Sequence, residues 1–320
     1  MRRSTSDSYA KYGYIFCIPF LLAFLVFSLY PILYTAIIGF TDLRGMGKTG
    51  FHFLAKPFEN FQLILQNPSF RTSLSNTALI WIINFIPQIA LALLLTAWFT
   101  NERVRVRGQG AFKVLLYMPN IITAATIAIL FNSLFAYPMS PVNHLAMKFG
   151  FISEPVNFLI QKGTARGIVA FIQFWMWYGS TMIVLIAGVL GINPALFEAA
   201  AIDGATGLQT FFRITLPSLR TILLYTLITS MIGGLQMFDI PRLFLLGGPD
   251  NATLTASVFI FNQAFSGSYL YNRAAAASMV MFIIIAVLSA ILFYVMRDKD
   301  AEKLKKAKKE FIRAARRQAA

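Results

Sequence analysis

Long apolar stretches separated by shorter polar segments dominate the chain. A helix needs about 20 mostly apolar residues to cross the hydrocarbon core of a bilayer. Six stretches reach that length, and each predicts a membrane-spanning helix: residues 14–40, 77–99, 112–135, 168–190, 219–240 and 274–296. Residues 1–13 precede the first span, and residues 297–320 form a basic tail after the last. The pattern predicts an all-α membrane protein with one six-helix domain over residues 14–296.

Composition supports a membrane protein over a soluble one. Hydrophobic residues make up 57% of the 320 residues and charged residues 13%, against roughly 45–50% and about 25% in soluble globular chains. A folded monomer of this size could not bury so much apolar surface, and a disordered chain would be far more polar. One cysteine and two histidines exclude a disulfide framework and argue against a cysteine- or histidine-rich metal site.

The distribution of lysine and arginine predicts the orientation. If both termini are cytoplasmic, cytoplasmic segments hold 19 of these bases and outer segments hold 9, which agrees with the positive-inside rule. Ten of the 19 follow residue 296. Without that tail the numbers of bases on the two sides are equal. The short, densely basic turn over residues 103–113 then favours the cytoplasmic side for its end of the spans. We therefore expect both termini in the cytoplasm.

The net charge of +15 has more than one interpretation. Strongly basic chains often bind nucleic acid. Here the bases flank apolar runs, which favours a membrane protein and no nucleic-acid partner. The bases of the tail predict attraction to anionic membrane lipid, with a simple positive-inside anchor as the alternative.

Motifs of the common enzyme classes are missing. The chain has no metalloprotease, serine-hydrolase or dinucleotide-binding signature. Gly47, Lys48 and Thr49 resemble the end of a phosphate-binding loop, but Asp42 stands where that motif requires a glycine. The span cores also contain almost no ionisable residues, whereas ion-coupled carriers usually place carboxylates or histidines at mid-membrane. Energy for uphill transport would therefore come from another subunit.

A polar segment between the fourth and fifth spans carries the strongest local signal. Asn193 and Pro194 are typical of a helix start, and Gly204 suits a left-handed helix end. Thr206 can cap a second short helix, which we expect Pro217 to limit. The small side chains around Ala199 predict a surface that another protein can approach closely. An ordinary interfacial helix is the alternative.

This segment resembles the EAA loop of ATP-binding-cassette importer permeases. The matching positions are Glu198, Ala199, Ala200, Gly204, Ile214, Leu216 and Pro217, and Asp203, Ala205 and Phe211 match the sugar-importer version. Thr221 departs from it, because many relatives have a further proline there. Further stretches resemble the maltose and glycerol-phosphate type permeases, in the carbohydrate-uptake branch: residues 30–33, 58–61, 68–70, 76–77, 238–239, 247–249 and 253.

The resemblance implies a type I importer permease in the cytoplasmic (inner) membrane of a bacterium or archaeon. Its implied partners are a second permease subunit, two ATPase subunits that hold ATP and Mg, and an extracytoplasmic solute-binding protein. This chain would bind no cofactor itself and would hydrolyse no ATP. The loop over residues 191–217 would contact the ATPase through six residues: Glu198, Ala199, Ala200, Asp203, Gly204 and Phe211.

The implied activity is import of a sugar or oligosaccharide by alternating access. The same architecture could serve another solute, such as glycerol phosphate or a peptide. A secondary carrier would be expected to show intramembrane carboxylates and internal repeats, neither of which is evident. A purely structural scaffold would leave the loop match unexplained.

The spans that flank the loop are expected to line the solute path. Sugar sites combine aromatic faces with a few hydrogen-bonding groups, and five residues of the fourth and fifth spans are predicted to line the path: Trp177, Ser180, Ser230, Gly234 and Met237. Trp175 lies two positions from Trp177 and therefore on another helix face. Alternatively, the aromatic residues of these spans lie at the membrane interface and the glycines serve helix packing.

Overall fold

A computed structural model describes residues 6–48, 50–101, 107–267 and 269–297. Apart from one isolated bridge between Thr41 and Phe53, the regular structure of these residues is helical, as the sequence predicts. Most of the basic tail and part of the 103–113 turn lie outside the described residues.

Fifteen α-helices and two π-helical turns follow one another along the described residues. The helices are α1 (Ser6–Phe24), α2 (Tyr30–Ile38), α3 (Glu59–Gln66), α4 (Pro68–Phe99), α5 (Gln109–Ile121), α6 (Ala124–Leu134), α7 (Pro141–Lys148), α8 (Lys162–Leu190), α9 (Pro194–Ile202), α10 (Gly207–Thr210), α11 (Leu216–Ser218), α12 (Arg220–Leu235), α13 (Asp239–Leu245), α14 (Ala256–Phe265) and α15 (Tyr271–Met296). The π-helical turns are Leu25–Leu29 and Phe211–Thr215.

Five continuous stretches of the described chain are long and apolar enough to cross a membrane: Tyr12–Ile38, Pro68–Phe99, Lys162–Leu190, Arg220–Leu245 and Tyr271–Met296. The predicted third span, residues 112–135, is not one continuous helix. It divides into α5 and α6, which meet at 92°. A sixth crossing results only if this bent pair counts as one span.

The break in the third span begins at Ile122 and Thr123, whose backbones are extended. The Thr123 hydroxyl accepts a hydrogen bond from the Thr126 backbone N–H at 3.3 Å and so caps a new helix. Threonine can compete in this way with continued helix formation. Hydropathy is high on both sides of the break, which is why the apolar pattern predicts a single helix.

The second long helix begins nine residues before the predicted start at residue 77. Asn67 precedes it, and the Asn67 side-chain oxygen accepts hydrogen bonds from the backbone N–H groups of Ser69 (2.9 Å) and Phe70 (3.3 Å). Pro68 occupies the first helical position, where its missing N–H is harmless. The early turns are polar, so hydropathy alone places the start too late.

Two compact units divide the chain. The first comprises residues up to Arg71 together with Phe259–Ile283. It contains the buried Asn60, whose amide nitrogen donates to the backbone oxygens of Gly39 and Thr41, both at 2.9 Å. The Asn272 amide donates in turn to the Asn60 side-chain oxygen at 3.1 Å. These bonds satisfy carbonyls that no helix partner reaches.

The second unit comprises Thr72–Val258 and residues from Ile284 onward. Helix α8 is its central element, with buried side chains along most of its length. At Gly179 the packing against α5 is backbone to backbone, since a Cβ at this position would lie 2.3 Å from the Leu116 carbonyl oxygen. Small residues of this kind allow membrane helices to approach closely. Helix α8 is therefore held firmly between its neighbours.

Within this unit, the turn after α13 is fastened to α4 and α8. Arg166 donates to the Asn76 side-chain oxygen and the Ala252 backbone oxygen, both at 2.9 Å. The Asn76 amide nitrogen donates to the backbone oxygens of Asn251 (2.6 Å) and Leu254 (3.1 Å). These bonds fix the end of the turn that follows α13.

Candidate functional site

A polar cavity of about 180 Å³ lies between α4, α8 and α12 in the second unit. Four of the five residues predicted for the solute path line it: Trp177, Ser180, Ser230 and Gly234. Trp177 remains 48% exposed, so part of its indole is open to the space around it. The structure thus brings residues from two predicted spans to one place.

Met237, the fifth predicted residue, does not line this cavity. It is 5% exposed and belongs to an apolar cluster with Ile240 and Phe244. Helix α12 ends at Leu235, so Met237 no longer follows the helical register on which its assignment depended. Its backbone oxygen instead accepts a hydrogen bond from the Thr255 hydroxyl at 3.0 Å.

Trp175 and Trp177 take different faces of α8, as the sequence predicts. Trp175 packs against the apolar clusters on either side of α8, with its ring centroid 5.8 Å from that of Phe131. Of the two tryptophans, Trp177 is the one that lines the cavity.

Helix α4 contributes two cavity residues that the sequence interpretation missed, Asn84 and Gln88. The Gln88 amide nitrogen donates to the Thr181 hydroxyl at 2.9 Å and to the Ser230 hydroxyl at 3.4 Å. Gln88 thereby links α4, α8 and α12. Two carboxamides four residues apart in an apolar span were the available signal, because polar residues at membrane depth usually serve a function.

Most residues that line the cavity have polar side chains, and none of those described is charged. Its lining includes carboxamides, hydroxyls and aromatic rings and no Asp, Glu, Lys, Arg or His. The Thr226 hydroxyl is buried there with no hydrogen-bond partner among the described residues. The Asn84 amide nitrogen donates within its own helix, to the Ile80 carbonyl at 2.9 Å. Such a lining can exchange hydrogen bonds with a neutral, hydroxylated molecule.

Gly234 permits close packing beside the cavity. A Cβ at Gly234 would lie 2.3 Å from Trp81 Cδ1. The indole of Trp81 therefore rests against the α12 backbone at this position, and the glycine serves packing as well as lining.

The loop between α8 and α12 has the predicted start and turn. The Asn193 side-chain oxygen accepts from the Ala195 backbone N–H at 3.1 Å, and Pro194 is the first residue of α9. Gly204 has a φ of +73°, in the left-handed region. Thr206 and Gln209 form a reciprocal capping box at the start of α10. These interactions span three residues or fewer, so the local sequence determines them.

The second helical segment ends close to Pro217, as expected. Helical structure continues from Gly207 through the π-helical turn Phe211–Thr215 to Ser218, and α12 begins at Arg220 after the turn residue Leu219. Pro217 lies directly after the π-helical turn, where the regular α-helical hydrogen-bond pattern is already altered.

The six predicted loop residues differ in exposure. Glu198, Ala199, Asp203 and Gly204 are exposed, while Phe211 is half-buried beside Phe212. Ala200 is buried at 6% exposure, so it does not share a docking surface with Ala199. The side chains of Ile202 and Leu208 are 86% and 73% exposed on the same loop. Large apolar side chains left in the open often mark a protein contact.

The described residues contain no group of three potential metal ligands among His, Cys, Asp and Glu.

Comparison with known proteins identifies the wider group. The family described as binding-protein-dependent transport system inner membrane component matches residues 63–302. The chain is 32% identical over 304 residues to the lactose transport system permease protein LacF of Rhizobium radiobacter, covering 93% of this chain and 98% of that protein. It is also 32% identical over 283 residues to the arabinooligosaccharides transport system permease protein AraP of Bacillus subtilis, covering 87% and 86%.

Solved structures share the fold. A bacterial ABC transporter involved in the import of the acidic polysaccharide alginate matches with a TM-score of 0.75 and 23% identity, covering 91% of this chain and 97% of that chain. The same type of transporter in complex with an alginate pentasaccharide-bound periplasmic protein matches with a TM-score of 0.73 and 24% identity, covering 92% and 98%. The chain therefore has the type I ABC importer permease fold.

Replacing Gln88 tests the link between the three cavity helices. Gln88→Leu should destabilise the purified protein by about 0.6–1.7 kcal/mol, the range measured for interhelical hydrogen bonds in membrane proteins. Thr181→Val should cost much less in the Gln88→Leu background than alone, because its partner is already gone. Thermal unfolding of the four proteins of this cycle measures the coupling. Fully additive effects would contradict a direct Gln88–Thr181 interaction.

Proposed function

This chain belongs to the family of binding-protein-dependent transport system inner membrane components, and on that premise we propose that it imports a sugar or oligosaccharide. It is the permease subunit of an ATP-driven importer, and ATP hydrolysis takes place on a separate subunit. The observation that carries the choice of solute is the uncharged polar cavity beside Trp177.

The chemistry of the cavity suits a sugar. A pyranose ring has apolar C–H faces that stack on an aromatic side chain, and hydroxyls that both donate and accept hydrogen bonds. Trp177 offers the aromatic surface, and Ser180, Ser230 and Asn84 offer hydrogen-bonding groups. Relatives that transport lactose and arabinooligosaccharides support the same solute class.

A phosphorylated solute such as glycerol phosphate fits less well. Phosphate groups are bound preferentially by arginine or lysine, and none of the described residues that line the cavity is basic. A neutral carbohydrate needs no such partner.

We place this chain in a complex with a second permease subunit, two ATPase subunits that bind ATP and Mg, and an extracytoplasmic solute-binding protein. Both termini lie in the cytoplasm, and the basic tail contacts membrane lipid. Alternating access requires that the two states of the complex bind ATP, solute or the binding protein with different free energies. The solute path runs past Trp177, Ser180, Ser230 and Gly234.

The loop over residues 191–217 connects this path to the ATPase. Exposed Glu198 and Ala199, together with the exposed apolar side chains of Ile202 and Leu208, form the contact surface. Asp203 and Gly204 supply the turn after α9, and Ala200 and Phe211 hold the loop against the rest of the unit. The loop leads from the end of α8 to the start of α12, so its movement reaches both cavity helices.

The solute proposal is tested by uptake into proteoliposomes that contain the complete importer. Radiolabelled neutral disaccharides and oligosaccharides should be taken up in competition with one another, and glycerol phosphate should not compete. Trp177→Ala should reduce uptake by about tenfold, equivalent to roughly 1.4 kcal/mol of lost aromatic contact, while Trp177→Phe should retain most of it. Selective uptake of glycerol phosphate would contradict the choice of a sugar.

The loop proposal is tested by three substitutions on α9. Glu198→Lys and Ala199→Trp change exposed positions, so both variants should fold and insert normally but lose ATPase association and uptake. Ala200→Trp forces a large side chain into a buried position and should mainly lower the amount of folded protein. Co-purification of the ATPase, normalised to folded permease, separates the two effects. Full association and uptake in Glu198→Lys and Ala199→Trp would exclude this surface as the docking site.

A further inference from the structure

A groove of about 1120 Å³ lies between the last turns of α4 and the segment from α9 to the Phe211–Thr215 turn. It is separate from the polar cavity, and the two share none of their lining residues. Its volume exceeds the upper end of the usual range for small-molecule pockets, about 1,000 Å³.

The groove changes in polarity along its length. Toward the middle of α4 the lining is apolar, with Ala90, Leu93 and Leu94. The other end is polar, with Asn101, Gln109 and Lys113 among its lining residues. Ala90 and Phe99 are nine residues apart on α4, which at 1.5 Å per residue is about 14 Å. That length is close to half of the roughly 30 Å hydrocarbon core of a bilayer, so the groove spans about one leaflet.

The polar end carries an unneutralised positive charge. Lys113 lines the groove, and its Nζ lies 5.6 Å from the centroid of the Phe99 ring. No carboxylate of the described residues lies within ion-pair distance of Lys113, and none of the described residues that line the groove is Asp or Glu.

Trp98 marks the level of the membrane surface at this groove. It is 48% exposed, lines the groove and stacks on Phe99 with 5.7 Å between ring centroids. Tryptophan is enriched where hydrocarbon meets headgroups. It lies on α4 between the apolar end and the polar end, where a lipid changes from acyl chain to headgroup.

We propose that this groove is a binding site for an anionic phospholipid. The acyl chain lies along Ala90, Leu93 and Leu94, and the phosphate lies beside Lys113. Basic pockets between transmembrane helices bind anionic headgroups in this way. A wholly apolar helix of another protein would match the apolar end but would leave the lysine without a partner.

The site borders the loop that we propose contacts the ATPase. Thr206, Phe211 and Leu216 form the wall opposite α4. A bound lipid would therefore fill the space between the loop and α4 and support the loop. The lipid site itself does not rest on the proposed function, since it follows from the shape, polarity and charge of the groove.

Native mass spectrometry of the purified importer complex tests the proposal, with phosphatidylglycerol and phosphatidylcholine as probes. The parent complex should retain phosphatidylglycerol in preference to phosphatidylcholine. Lys113→Gln should reduce that preference by about fivefold, the effect expected for one base near a membrane surface. Ala97→Trp, which fills the groove from α4, should release the bound lipid of either type. Lys148→Gln removes an exposed lysine outside the groove and should behave like the parent.

Equal retention of the two lipids by the parent would overturn the proposal, as would unchanged phosphatidylglycerol binding in Lys113→Gln and Ala97→Trp. Absence of retained lipid in the assembled complex would also overturn it and would indicate that a protein surface covers the groove. None of these measurements depends on transport. A result that contradicts the lipid site would therefore not contradict the proposal of sugar import.

Discussion

The hydrogen bonds of one side chain, Gln88, join three helices of the second unit. Its amide nitrogen reaches the hydroxyls of Thr181 and Ser230, on two other helices. In the hydrocarbon core there is no water to satisfy polar groups, so they must find partners inside the protein. This constraint turns the polar sides of α4, α8 and α12 toward one another and leaves their apolar sides for packing and lipid. The polar cavity is the consequence.

The same helices extend from the cavity to the loop. On α8, Trp177 lines the cavity, and Pro194 begins α9 just beyond the end of the helix. Seventeen residues separate them, about 25 Å if the rise is helical throughout. The tight contact at Gly179 holds α8 against α5. A displacement of the loop would be transmitted along a well-packed helix, which suits the coupling that we propose between a distant ATPase and the solute path.

Helix caps and turns that depend on neighbouring residues were predictable from the local sequence. The Asn193 cap, the left-handed Gly204 and the Thr206 cap depend on neighbours within a few residues, and each was predictable. The break at Thr123 was not, because apolar residues continue on both sides of it. The burial of Ala200 and of Met237 depends on tertiary packing that no spacing rule contains. Gln88 was missed because its partners lie 93 and 142 residues further along the chain.

The central claim is that the cavity lies on a path that opens alternately to the two sides of the membrane. Cys17 is the only cysteine of the chain, so single cysteines can be placed at Trp177, Ser180 and Ser230 in a Cys17→Ser background. Labelling by a membrane-impermeant thiol reagent in the complete importer, with and without ATP trapping, should change at these three positions and stay low at Trp175→Cys. Uniform protection of the three positions in both states would contradict the account and place the solute path elsewhere.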